Sequence, residues 1–122
     1  MSRPTAPRFS IQLDRERHLC FDFYAQWKFE DQMGRPFFST FLPLAKALQA
    51  ADITQISSKD LVALLWCGLV HEDPCLSMED VAYMLHLGNI QEVMGSIVQA
   101  QVAAAARNED LPERPPEAQP AQ

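Results

Sequence analysis

No run in this sequence is long and apolar enough to cross a membrane: the least polar stretch, Ile97 to Ala106, is largely alanine and is broken by Gln99 and Gln101. No signal-peptide pattern is present either, so the expected location is cytoplasmic. Cysteine is scarce. Cys20, Cys67 and Cys75 are an odd number with no CxxC pair, which fits neither a disulfide framework nor a zinc ribbon and reads as reduced thiols packed like small hydrophobes. Glycine is scarcer than a phosphate-cradling loop requires, because Gly34, Gly68, Gly88 and Gly95 are widely separated.

Positive charge is missing from half the chain. Between Asp60 and Ala106 there is no Lys or Arg, and from Asp60 onward ten acidic residues face only Arg107 and Arg114. The first 35 residues, with six basic and five acidic side chains, are nearly balanced, and the net charge is −6. Affinity for nucleic acid rests on Lys and Arg releasing counterions, so this half repels a phosphate backbone. Nucleic acid is excluded as its partner; a basic or neutral protein is allowed.

What remains is an ordinary globular composition, 48% hydrophobic over 122 residues, enough for one domain with its own core. Residues 1–7 (MSRPTAP) read as a flexible arm. Phe9, Ile11 and Leu13 then alternate with polar residues, Asp14-Arg15-Glu16-Arg17 reads as a charged turn, and Leu19, Phe21 and Phe23 alternate again. That pattern predicts a β-hairpin, whose apolar face must lie on helices to be stable. Asp22 is placed to cap a helix over Phe23–Met33, stopped by Gly34 and Pro36. In it Phe23 and Trp27 fall at helical spacing, as do Ala25, Phe29 and Met33. A second helix is expected over Ser39–Ala50, with Pro43 tolerated only near its first turn.

Three further helices carry start signals. Ser57-Ser58-Lys59-Asp60 fits a capping box, and the helix after it, to about Val70, has the broadest apolar surface, with Leu61, Leu65 and Leu69 in one row and Val62 and Trp66 in the next. Ser77-Met78-Glu79-Asp80 repeats the signature, leading to Val81, Met84 and Leu85. Asn89 with Glu92 starts the last helix, whose Ile90, Val93, Met94, Ile97, Val98 and Val102 follow the i, i+3, i+4 pattern. Residues 107–122 are acidic and proline-rich and read as a disordered tail. The fold expected is mainly α (α+β): an N-terminal hairpin on about five short helices, one domain over residues 8–106.

Catalytic chemistry has little to stand on. Cys67, His71 and Cys75 are spaced at four-residue intervals beside Glu72 and Asp73, but Pro74 breaks the helix before Cys75 and Cys67 lies within the core helix. They read as a helix end with surface acids, and no metal or other cofactor is expected. His18, His71 and His86 sit in no recognisable nucleophile setting. The acid pairs Glu30-Asp31, Glu72-Asp73 and Glu79-Asp80 are adjacent, so on a helix they diverge by about 100° and do not converge on a substrate. Apolar surface is in surplus instead. Phe37, Phe38, Phe41 and Leu42 exceed what one short helix buries on one face; either they cover the hairpin's open face or they line a groove for a partner helix. These four, with Met94 at the edge of the last helix, are the candidate partner-binding residues.

Two segments carry a resemblance. One is Leu19-Cys20-Phe21-Asp22-Phe23-Tyr24-Ala25 with Phe29-Glu30 and Gly34. The other is Asp60-Leu61, then Leu64-Leu65-Trp66-Cys67-Gly68-Leu69-Val70-His71-Glu72-Asp73-Pro74, then Leu76-Ser77 and Glu79-Asp80-Val81. Together, over Phe9 to Val102, they resemble the tail assembly chaperones of long-tailed phages, in particular the short type of gene transfer agents and related prophages. The sequence departs from that family at Tyr24, where a small polar residue, usually asparagine, is expected, and over Phe37 to Ala50. The resemblance implies a protein that is not an enzyme. It would bind the tape measure protein, keep it soluble, help recruit tail tube protein during assembly, and be absent from the finished particle. A homo-oligomer and a frameshifted longer form are compatible with it. The alternative is a structural minor tail or head–tail connector protein retained in the virion.

Overall fold

The computed structural model describes residues 8–52, 54 and 56–109, so the arm at 1–7 and the tail beyond residue 109 lie outside the described residues. Two strands, β1 (Phe9–Gln12) and β2 (Glu16–Leu19), are followed by five helices: α1 (Phe23–Met33), α2 (Phe37–Ala50), α3 (Ser58–Leu69), α4 (Met78–Met84) and α5 (Ile90–Glu109). The fold is thus mainly α with an N-terminal hairpin. The last helix takes in Arg107 to Glu109, which the sequence placed in the tail.

The strands pair antiparallel with Phe9 opposite Leu19 and Ile11 opposite Arg17. This register puts Phe9, Ile11, Arg17 and Leu19 on one face and Ser10, Gln12, Glu16 and His18 on the other. The charged turn expected over Asp14 to Arg17 is therefore shorter. Glu16 and Arg17 belong to β2, and Arg17 points inward, buried. Phe23 leaves the strand pattern altogether, because β2 ends at Leu19 and Asp22 caps α1 by accepting from Ala25 N–H at 2.9 Å. Gly34, at φ 73°, closes that helix in the left-handed conformation that glycine adopts freely.

The start of α2 differs by two residues from Ser39. Pro36 supplies an extended N-cap without a side-chain cap bond, and the Glu30 carboxylate accepts Phe37 N–H at 3.0 Å, which satisfies one of the donors at the helix start. Pro43 consequently falls in the second turn, not the first. Both Pro43 and Ser39, whose carbonyl loses the N–H that a residue other than proline would supply, lie on the exposed side. The helix α3 is capped by Ser57, whose hydroxyl accepts from Asp60 N–H. The Asp60 carboxylate is instead drawn to Arg35, which also donates to buried Thr40 at 3.0 Å. A complete capping box appears at α4, where Ser77 and Asp80 each accept the other's backbone N–H at 3.0 Å. The Asn89 side chain bonds backward, accepting from His86 N–H and donating to the Met84 carbonyl, so it closes the α4–α5 turn.

At the centre lies α3, whose Leu61, Ala63, Leu64, Leu65, Cys67 and Leu69 are all essentially inaccessible. The hairpin rests on α3 through β2 and on α5 through β1, while α1, α2 and α4 pack around the same helix. Its open face is thus covered by α3 and α5, and α2 has another task. Phe37 sits between Phe29, edge-on at 5.6 Å, Phe21 at 6.0 Å and Phe41, stacked at 5.8 Å. This aromatic cluster fixes the α1–α2 corner. No helix of the described residues is long and apolar enough to cross a membrane.

Candidate binding surface

The residues with chemical potential are spent on docking the hairpin. The Arg17 guanidinium donates to both oxygens of Asp14, at 2.7 and 2.9 Å, and stands 3.6 Å from Asp73 beyond α3. Its hydrogen bond holds the Asp14 carboxyl down at about 2, well under the usual 3.8. One residue along, Glu72 accepts His18 N–H at 3.1 Å and pairs with His18 Nδ1 at 2.9 Å, which lowers the Glu72 carboxyl. His71 Nε2 lies 3.0 Å from the His18 carbonyl, an acceptor only, so that nitrogen carries the proton. The other, Nδ1, is buried with no hydrogen-bond partner.

Cys67, His71 and Cys75 do not converge. The Cys67 thiol is enclosed in the core, bonded to the Leu64 carbonyl at 3.2 Å, and burial pushes its ionisation up; Cys75 is exposed. Among the described residues no group of three or more His, Cys, Asp and Glu side chains could hold a metal ion.

Gly68 and Trp66 complete this contact. The segment Leu19 to Phe21 crosses α3 so closely that a Cβ on Gly68 would lie 2.8 Å from the tip of the Phe21 ring and 2.9 Å from Leu19 Cδ2. Cys20 N–H donates to the Gly68 carbonyl at 2.9 Å. Trp66 donates its indole N–H to the Leu76 carbonyl at 2.9 Å, tying the loop after α3 to the helix itself.

Of the five residues singled out as partner-binding, Phe37, Phe41 and Met94 are core residues and offer no surface. Phe38 and Leu42, one helical turn apart, are exposed on α2, with the Phe38 ring edge-on to Phe37 at 5.1 Å. The larger apolar surface lies on α1. Phe23 is 82% exposed, Trp27 60% and Tyr24 49%, with the Tyr24 and Trp27 rings 6.0 Å apart. At about 100° per residue these three fall opposite Ala25 and Phe29, which face the core. The helix therefore has two apolar stripes. Sequence reasoning noted both at helical spacing without saying which faces the core, and an 11-residue helix at the edge of a small domain buries only one. That doubling was the available signal.

Taking roughly 200 Å² per aromatic side chain, the α1 stripe exposes on the order of 400 Å², comparable to the largest apolar patch of a typical monomer. Tyr83 and Leu87, in and after α4, are more exposed still. Comparison with protein-family models, with curated proteins and with solved structures gives no match.

Proposed function

We propose that this protein is a non-catalytic assembly chaperone of the phage-tail type, which binds apolar segments of a tape measure protein, keeps that chain soluble in the host cytoplasm, and yields it to tail tube subunits as the tail grows. The observation that carries this reading is the solvent-facing aromatic stripe Phe23–Tyr24–Trp27. Its rings lie outside the buried core and leave surface available to cover another chain. Shielding is worth about 25 cal/mol per Å² of apolar surface covered, before the entropy of association is subtracted. One such site binds weakly, which suits a chaperone that must let go and acts in many copies along a long client.

On this reading the neighbouring downstream frame should encode a long, helix-rich chain, and the test is co-expression with it, followed by size-exclusion chromatography with light scattering. The long chain should become soluble only with this protein, in a complex holding many copies of it. Formation of a closed ring by this protein alone, with no complex, would transfer it to the structural connector or minor tail proteins.

A further inference from the structure

The outward face of α1 ends in negative charge. One turn beyond Trp27 stand Glu30 and Asp31, both exposed, and the helix has no basic residue in its last turn. One Glu30 oxygen accepts Phe37 N–H, and among the described residues neither carboxylate forms an ion pair. The C-terminal end of the helix dipole adds to the same sign. The nearby cations are turned elsewhere: Lys28 Nζ lies 5.9 Å from the centre of the Trp66 ring, and Arg35 is engaged by Asp60 and Thr40.

Building on the binding role proposed above, we infer that this face takes one amphipathic helix of the partner, aliphatic over two to three turns and carrying Lys or Arg at the end that meets Glu30 and Asp31. The span from Phe23 to Asp31 is about 12 Å at 1.5 Å per residue, which sets that length. Aliphatic side chains of the partner fill the spaces between the three rings, and its cations satisfy carboxylates that an apolar partner would strip of water. A second copy of this chain fits less well. Its own α1 stripe offers no free cation to meet Glu30 and Asp31, since Lys28 and Arg35 are turned elsewhere, and each copy carries a net charge of −6.

Two synthetic 18-residue peptides test this, each with leucines at i, i+3, i+4 and i+7, one ending in Lys-Lys and the other in Glu-Glu. Binding is read by anisotropy of the labelled peptide and by loss of acrylamide quenching at exposed Trp27, against which buried Trp66 is nearly silent. The Lys-ended peptide should bind the wild-type protein at least tenfold more tightly than the Glu-ended one. F23A/W27A should lose at least tenfold, and E30Q/D31N severalfold together with most of the salt dependence. Because both aromatic side chains are exposed, the thermal melt of F23A/W27A should match wild type, which separates lost binding from lost folding. Equal binding of the two peptides, unchanged binding by F23A/W27A, or no binding of either peptide overturns the inference, as does a wild-type dimer that F23A/W27A abolishes. Co-expression with the long chain separates the two levels. A soluble complex formed equally by wild type and F23A/W27A keeps the chaperone and removes this surface from it. Failure of the wild-type complex removes the chaperone, and the peptide result then stands for this surface alone.

Discussion

Arg17 occupies an inward position of β2, opposite Ile11, with its side chain 6% exposed while its counter-charges Asp14 and Asp73 are 48% and 35% exposed. That asymmetry decides what each deletion costs. In R17M the aliphatic stem is largely replaced and the two carboxylates return to water, so the loss is about 1 kcal/mol. In D14N/D73N the guanidinium stays in place without a counter-charge, and the cost rises to about 2–3 kcal/mol, below the range for a deeply buried pair because solvent reaches both acids. With a urea m-value of about 1–2 kcal/mol/M for a domain of this size, the two midpoints should differ by about 0.5–2 M, read by far-UV circular dichroism.

Acidity gives an independent check. The folded protein holds Asp14 at about 2 against an ordinary 3.8, first through its hydrogen bond to Arg17. The stabilisation is therefore complete above pH 3.8 and disappears as pH falls through 2. In R17M the Asp14 share of that acid loss should vanish. An R17M protein less stable than D14N/D73N, or one that keeps the full acid slope of wild type, would refute the reasoning.

Two further outcomes follow from the packing of the hairpin on α3 and the burial of the thiols. Gly68→Ala should lower stability by about 1 kcal/mol even though alanine is the better helix former, because overpacking Phe21 and Leu19 costs about 1–3 kcal/mol and helix propensity returns about 1; a raised melting temperature would show that the crossing is looser than its distances indicate. Of the three cysteines only Cys75 is exposed, so a thiol reagent should titrate one group in the native protein and three in denaturant, and rapid native reaction of Cys67 would contradict its enclosure.

What the sequence made legible was decided locally. The bounds of α1 follow from Asp22 and Gly34, and the start of α4 from Ser77 and Asp80, because capping needs only residues a turn away. Arg17 was misplaced because four charged residues in a row look like a turn, while only pairing across to Ile11 shows which side of β2 faces in. The start of α2 at Phe37 depends on Glu30 of another helix, and the backward turn of Asn89 on carbonyls before it. Periodicity showed that Phe37 to Leu42 was too apolar for one face. Which two of those residues stay outside is set by Phe21 and Phe29, which lie far off in sequence.

The same division separates scaffold from function. Trp66, Gly68, His71, Glu72 and Asp73 belong to a stretch on which the proposed kinship with the tail assembly chaperones rests, and each has a structural partner: a loop carbonyl, the crossing segment, the His18 carbonyl, His18 itself, and Arg17. A motif composed of such residues specifies how a hairpin is clamped onto a central helix, and a clamp is indifferent to what the outer surface binds. Tyr24, outside that stretch, is one of the three outward rings. Exchange at Tyr24, Phe23 or Trp27 alters what the surface can cover while leaving Ala25 and Phe29 in the core, so partner choice can change on this fold without disturbing the clamp. Substitutions in the clamp should therefore register first in the melting temperature, and substitutions in the stripe first in the solubility of the partner.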